Sequence, residues 1–379
     1  NQSRILMLLI KKITNTLKFF LIIIFITFSL TLFIDFFFGK KILEVTDNFW
    51  KKTEFYGRIL RIDHPVYHHS LKKNVKLENA KGFDGLFTFC TDNHGFKNAC
   101  NQKVDKEFEI GFLGDSFTEG ASVTYEDSFV GIFKSSTKKD VANLGVVSYS
   151  PKIYLSKINY LLNEGYKFKK IVIFIDISDL YDDSFYYSLN DKLEVGENPK
   201  RGKKLFIRRI LRSNFPFTNF YMYVLKNLNK KEEVDLKKIN FARPTFHKDA
   251  ILKSIWTYSE KDFIKGYFGS ISENQKKMLN TMDELYKLLE KKGIEMSLAV
   301  YPWPQQLEYD VENSEQVKMW ENFCTDRCKH FFNFFPYFFE SKNKIGYLDT
   351  YKKYYWWNDI HFNKAGNKVI AKELIKVLK

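Results

Sequence analysis

The clearest strand in this chain is Ile171-Val172-Ile173-Phe174-Ile175, five β-branched or aromatic residues in a row that end in Asp176-Ile177-Ser178-Asp179. A short apolar run of this kind suits a strand inside an α/β sheet. Two more precede it. Phe108, Ile110, Phe112 and Leu113 give one, and Lys138-Lys139-Asp140-Val141-Ala142-Asn143-Leu144-Gly145-Val146-Val147 contains the other. Between that segment and Ile171, Ser150 offers an N-cap and Pro151 a first helical position. Ile153, Tyr154, Ile158, Leu161 and Leu162 follow at helical spacing, and Gly165 marks the stop. Strand, helix, strand argues for a parallel sheet. Farther on, Ser272-Glu273-Asn274-Gln275 reads as a capping box, opening a helix with Met278, Met282, Leu285 and Leu289 on one face and Gly293 beyond its end. Ile294 to Tyr301 makes a fourth strand that runs into Pro302-Trp303-Pro304-Gln305, and His330 to Phe339 is either a fifth strand or a buried aromatic element. A last helix, Asn363 to Lys379, carries Val369, Ile370, Leu374, Ile375 and Leu378 toward the sheet.

The first strand runs into Gly111-Phe112-Leu113-Gly114-Asp115-Ser116-Phe117-Thr118-Glu119-Gly120, which sets a hydroxyl at a strand end where reactive groups are displayed. A serine needs a base to take its proton and a third group to orient that base. Trp356-Trp357-Asn358-Asp359-Ile360-His361-Phe362-Asn363 supplies an acid two residues before a histidine, just ahead of the last helix. Gly-Asp-Ser-Phe early, Asn143-Leu144-Gly145 between, and Asp-x-His late resemble the SGNH (GDSL-type) hydrolase family in pattern and order. Asp92-Asn93-His94-Gly95-Phe96-Lys97 is similar to the Asn-x-x-Gly-Phe-Arg stretch that precedes the serine block in SGNH proteins associated with surface polysaccharides. The resemblance covers about residues 92 to 190 and 270 to 379.

That resemblance implies a flavodoxin-like, three-layer α/β/α fold with a parallel central sheet. It also implies an ester-bond hydrolase with Ser116 as nucleophile, His361 as base and Asp359 as the group that orients it, with no metal or organic cofactor. The oxyanion would be held by the backbone N–H groups of Ser116 and Gly145 and by a side chain that the family supplies as asparagine in Gly-x-Asn-Asp. Here the matching segment is Asp176-Ile177-Ser178-Asp179, so Ser178 is the third-donor candidate and Asp176 stands where glycine is expected; Asn358 is a possible substitute donor. Asp115, Trp303, Trp356, Trp357 and Asn358 are candidates for substrate contact, the tryptophans by stacking on sugar rings or, equally, as core. The implied substrate is an O-acyl, most simply O-acetyl, ester on an envelope or extracellular glycan, or another small ester. An O-acyltransferase using the same acyl-enzyme is an alternative, and a non-catalytic glycan-binding envelope protein is another.

At 379 residues the chain has room for a membrane segment and one large domain. Its net charge of +15 comes from lysines mixed with Phe, Tyr, Ile and Asn, without an aromatic RNA-binding signature, so dedicated nucleic-acid binding is not expected. Phe19 to Ile34 is apolar but for Thr27, Ser29 and Thr31, and Phe36 to Phe38 extend it past Asp35, long enough to span a bilayer. Asp35, near the outer end, can reach the headgroups. Arg4, Lys11, Lys12 and Lys18 precede the run and Lys40 and Lys41 follow, favouring a cytoplasmic N-terminus. The expected organisation is a cytoplasmic segment at 1–18, an uncleaved signal anchor at 19–39, a lead-in at 40–106, and a hydrolase-like domain at 107–379. That domain would be periplasmic or extracellular, with an insertion at about 190–262. The insertion, carrying Lys200, Arg201, Lys203, Lys204, Arg208 and Arg209 among aromatics, is either a cap touching membrane or glycan or a solvated excursion. Cys90 with Cys100 and Cys324 with Cys328 either form disulfides in an oxidising compartment or remain buried thiols; zinc needs a different grouping. In Asp63-His64-Pro65-Val66-Tyr67-His68-His69, Pro65 breaks any helix that would align the histidines on a metal, so exposed loop histidines are expected.

Overall fold

The structure is a computed structural model that describes residues 2–53, 60–201, 215, 217–218 and 243–379. It divides into two compact units, one of Asn1–Glu54 and Lys200–Asn240, the other of Phe55–Pro199 and Phe241–Lys379.

In the first unit, helix α1 runs from Gln2 to Thr53, and its stretch Thr14–Gly39 is long and apolar enough to cross a membrane. Side chains such as Phe20, Ile24, Phe28 and Phe33 are exposed along it. One stripe is covered instead: Thr31, Asp35 and Gly39 are buried and Thr27 is half-buried, four residues apart and hence on one helix face. The Asp35 carboxylate accepts from the backbone N–H groups of Phe217 and Thr218, at 2.6 and 2.8 Å, and from the Thr218 hydroxyl. Most of the basic stretch between Lys200 and Arg209 lies outside the described residues.

The second unit begins with two antiparallel hairpins. Strands β1 (Arg61–His64) and β2 (His68–Leu71) form the first, and β3 (Lys76–Gly82) and β4 (Gly85–Cys90) the second. The loop after β4 is closed by the Cys90–Cys100 disulfide. Within it, Asp92 Oδ1 accepts from the N–H groups of His94 and Phe96, and Gly95 takes the left-handed conformation with φ +84°, so this stretch is the turn its sequence suggested. Lys97, fully buried, donates to the carbonyls of Gly120 and Val123 at 2.7 Å each. The histidine cluster is divided among separate tasks. His64 Nδ1 accepts from the N–H groups of Val66 and Tyr67, while His69 Nε2 donates to Val147 O at 2.9 Å. No cluster of His, Cys, Asp and Glu among the described residues is arranged to hold a metal ion.

The chain then winds the main sheet. Strand β5 (Glu107–Leu113) is followed by the one-turn helix α2 (Ser116–Glu119), helix α3 (Phe129–Thr137) and β6 (Val141–Asn143). Helix α4 (Pro151–Asn163) leads to β7 (Lys167–Ile175) and α5 (Asp179–Phe185), and a small hairpin follows, β8 (Tyr187–Leu189) with β9 (Val195–Glu197). After α6 (Lys248–Ser254) come α7 (Ile271–Lys291), β10 (Glu295–Val300), α8 (Pro304–Tyr309) and α9 (Glu315–Cys324). The chain closes with β11 (Phe331–Asn333), α10 (Phe335–Ile345), α11 (Tyr347–Tyr354) and α12 (Lys364–Leu378). Five strands pair in parallel in the order β6-β5-β7-β10-β11, the doubly wound, flavodoxin-like arrangement. The sheet grows one way from β5 to β6 and returns to β7, so right-handed crossovers put α3 and α4 on opposite faces. Helix α12 packs beside α3, and α7 beside α4, which gives a layer of helices on each side.

Covered on both faces, β7 buries every residue from Ile171 to Ile175. The cap of α7 falls two residues earlier than its sequence suggested: Ser270 Oγ accepts from Glu273 N, and Ser272 lies inside the first turn. His330 to Phe339 turns out to be both things at once, a three-residue strand and the buried start of α10. Cys324 and Cys328 are bonded at the end of α9.

Candidate active site

In a sheet of this order, ligands meet the carboxyl ends of the strands where the winding reverses, between β5 and β7. Asp115 follows β5 and caps α2, its Oδ1 accepting from Phe117 N at 2.9 Å, which places Ser116 at the first helical position. The backbone here is close-packed. A Cβ on Gly114 would lie 2.2 Å from Thr118 Oγ1, and one on Gly145, in the loop after β6, would lie 2.6 Å from Thr118 Cβ. Asn143 locks the same pair of loops, with Nδ2 donating to Thr118 O at 2.8 Å.

From the opposite end of the chain, the loop between α11 and α12 brings His361 to this point. Nε2 of His361 lies 2.7 Å from Ser116 Oγ, and Nδ1 lies 2.5 Å from Asp359 Oδ1, which also accepts from His361 N at 2.9 Å. An Nδ1–H donating to the carboxylate leaves Nε2 as the acceptor for the serine proton. The loop is held by Tyr351, whose hydroxyl lies 2.7 Å from Trp356 O and 2.8 Å from Asp359 O and accepts from Asp359 N. Asn363 caps α12 through Oδ1 and so fixes where the loop ends. The imidazole neighbours two phenyl rings, Phe117 at 4.8 Å and Phe83 at 5.6 Å; the Phe83 ring is nearly parallel to it.

Beneath the serine lies a buried polar network. Ser116 Oγ is 3.2 Å from Asp115 Oδ2, Tyr301 donates to Asp115 Oδ1, and Trp303 Nε1 donates to Asp176 Oδ2 at 2.9 Å. Burial, then the nearby Asp176, push the Asp115 carboxyl well above the usual carboxylate range, and burial with Asp176 and Asp115 does the same to Asp179. A protonated Asp115 can donate to Ser116 Oγ, leaving the serine proton free to point at His361.

The remaining sequence candidates fall into engaged and free groups. Ser178 Oγ and N both donate to Asp176 Oδ1 at 2.7 Å, so this hydroxyl is engaged inside its own turn. The N–H of Gly145 donates to Asn143 Oδ1 at 3.1 Å. Among the described residues the N–H of Ser116 meets no acceptor. Trp303 is 2% exposed with its N–H committed to Asp176, a core residue whose ring offers no face to a sugar. Asn358, at φ +62°, accepts from Thr245 N at 2.9 Å, so its side-chain oxygen is engaged there. Trp357 is exposed and lies over Tyr351, while Trp356 is half-buried with its N–H unpaired among the described residues.

Phe83 and Tyr351 are neighbours that motif reading missed, and of Asp176 it noted the position but not the role. Phe83 and Tyr351 carry no local signal. Asp176 does: a carboxylate at a strand end, one residue past an all-apolar run, must find donors once buried.

No family model and no curated protein matches the chain. Among solved structures, it is similar to a member of the lipolytic protein G-D-S-L family from Veillonella parvula DSM 2008, at 12% identity, covering 71% of this chain and 97% of that one with a TM-score of 0.37. It is similar as well to the psychrotrophic esterase EstA from a Pseudoalteromonas species, in a structure inhibited by monoethylphosphonate. There the identity is 13%, the coverage 72% of this chain and 97% of that one, and the TM-score 0.34.

Proposed function

We propose that this protein is a serine esterase that removes an acyl group, acetyl in the simplest case, from a glycan of the cell envelope. The reading is carried by one observation: the His361 imidazole bridges the Ser116 hydroxyl and the Asp359 carboxylate at hydrogen-bonding distance on both sides. Ser116 Oγ attacks the ester carbonyl as its proton passes to His361 Nε2, and Asp359 stabilises the imidazolium that forms. The Ser116 N–H faces the developing oxyanion. His361 returns the proton to the departing sugar hydroxyl, leaving an acyl-Ser116 ester. Water then repeats the sequence and releases the carboxylic acid. The glycan assignment draws on the Asp92-to-Lys97 stretch and its resemblance to proteins of surface polysaccharides. That stretch also braces the site, through the grip of Lys97 on Gly120 O.

The test is labelling of the full-length protein with a fluorophosphonate, together with release of acetate from acetylated polysaccharide. Labelling is expected in the parent and absent in Ser116→Ala, with acetate release falling about 1000-fold or more in Ser116→Ala and His361→Ala. Equal labelling of parent and Ser116→Ala, or acetate release that survives both substitutions, would remove the esterase.

A further inference from the structure

On the covered stripe of α1, Asp35 finds its partners within the same unit. An ionised carboxylate four residues from the end of an apolar span is costly unless donors meet it, and this one receives three, from two consecutive residues that lie in helical conformation more than 180 positions away. Two adjacent backbone N–H groups and a threonine hydroxyl converging on a carboxylate are what a helix start offers an anion. Here the anion belongs to another segment. At 1.5 Å per residue, Asp35 lies about 6 Å from the Gly39 end of the span, the depth of the headgroup boundary. The sequence around Phe217 suits that depth: Arg208, Arg209 and Arg212 come before it, with Phe215, Phe220 and Tyr221 close by. Cations and aromatic rings together are the composition of a membrane interface, and cations are drawn to anionic lipid.

We infer that Phe217 and Thr218 lie in the headgroup region of an anionic bilayer, docked through Asp35 on the apolar helix. That helix is then retained as an anchor with a second, lipid-facing partner. A signal sequence cut from the chain would take Asp35 with it and strand the donors.

The experiment uses the full-length protein in vesicles of phosphatidylglycerol and phosphatidylethanolamine. A nitrobenzoxadiazole probe on Phe217→Cys is expected to show blue-shifted emission and to be quenched at least about twofold more by headgroup spin-labelled lipid than by lipid labelled deep in the chain. Adding Asp35→Ala should move the emission toward that of the probe in water. Independently, Asp35→Cys with Thr218→Cys should cross-link on mild oxidation, whereas Ile22→Cys with Thr218→Cys should not. Water-like emission untouched by either quencher, stronger quenching from the deep label, both cysteine pairs cross-linking alike, or an intact mass showing that the protein starts beyond residue 39 would each overturn the inference.

Discussion

Ser178 stands where an asparagine donor is expected, and it is Asp176, two residues earlier, that decides what Ser178 does. With both the hydroxyl and the N–H of Ser178 drawn to one carboxylate oxygen, the hydroxyl is engaged at its own strand end. Ser178→Ala is therefore expected to lower kcat by less than about tenfold on an acetylated aryl ester. A loss of about 100- to 1000-fold, the usual effect of deleting an oxyanion donor, would mean that the hydroxyl turns to the substrate during reaction. Asp359 is a different case, since it accepts from both the ring and the backbone of His361. Asp359→Asn keeps the shape but reverses the demand on Nδ1, and kcat should fall about 1000- to 10000-fold with KM nearly unchanged. Steady-state kinetics of the purified variant check this; a fall below tenfold would separate Asp359 from the proton transfer. The serine, the histidine and the acid were legible because each sits in a short motif with its own spacing. The donors around them were not, because the direction of a hydrogen bond is set by whichever buried neighbour competes for it, as Asn143 does for the Gly145 N–H.

Strands showed in the sequence in proportion to how completely they are covered. Strand β7 reads as a strand because helices lie on both of its faces, so every position from Ile171 to Ile175 is apolar. The hairpins of the lead-in do not, because β1 buries none of its four residues fully and β3 buries only Ala80, with a bulge between Leu77 and Ala80. Yet the β3–β4 hairpin brings Phe83 to the imidazole. Its base is tied by Cys90–Cys100, and a Cβ on Gly82 would lie 3.1 Å from Ser122 Cβ, beside the helix that carries Ser116. A face-on ring contact of this kind contributes on the order of 0.5–1.5 kcal/mol, so Phe83→Ala should lower kcat/KM by about 2- to 10-fold while fluorophosphonate labelling persists. An unchanged kcat/KM would make the hairpin a bystander. Replacing Cys90 and Cys100 together by serine opens a short loop and should cost about 2–3 kcal/mol, read from the urea midpoint of the full-length protein in detergent. No shift in that midpoint would show that the loop is held by Asp92 and Lys97 alone.

The formal charge of +15 on the whole molecule conceals two lysines that lie inside it. Lys157 is fully buried, donating to Leu144 O at 2.8 Å among the rings of Tyr67, Phe96 and Tyr149. Burial brings it down to about 7, with Glu119 and Asp92 opposing the shift. Lys97, likewise buried and opposed by Glu119 and Glu126, is brought down to about 8. Each is lowered in the folded state relative to an unfolded value of 10.5. Between those limits the unfolded chain holds more protons than the folded one, so stability rises with pH over that window and is flat below it. Asp182 works at the other end. Burial raises it from 3.8 to about 6 despite Lys253, so the folded chain holds the extra proton and stability falls as pH climbs through that interval. The two trends meet near neutrality, where these buried groups leave the domain least stable. From pH 7 to 9.5, Lys157 alone should add roughly 3 kcal/mol. Loss of net positive charge would stabilise the fold in the same direction, so the comparison needs a surface control. Lys157→Met should flatten the rise in urea midpoint between pH 7 and 9.5, whereas Lys169→Met, at a lysine three-quarters exposed, should leave the slope as in the parent. If both variants keep the parent slope, the buried ammonium is not the group that titrates, and its charge must be held in the fold across that range.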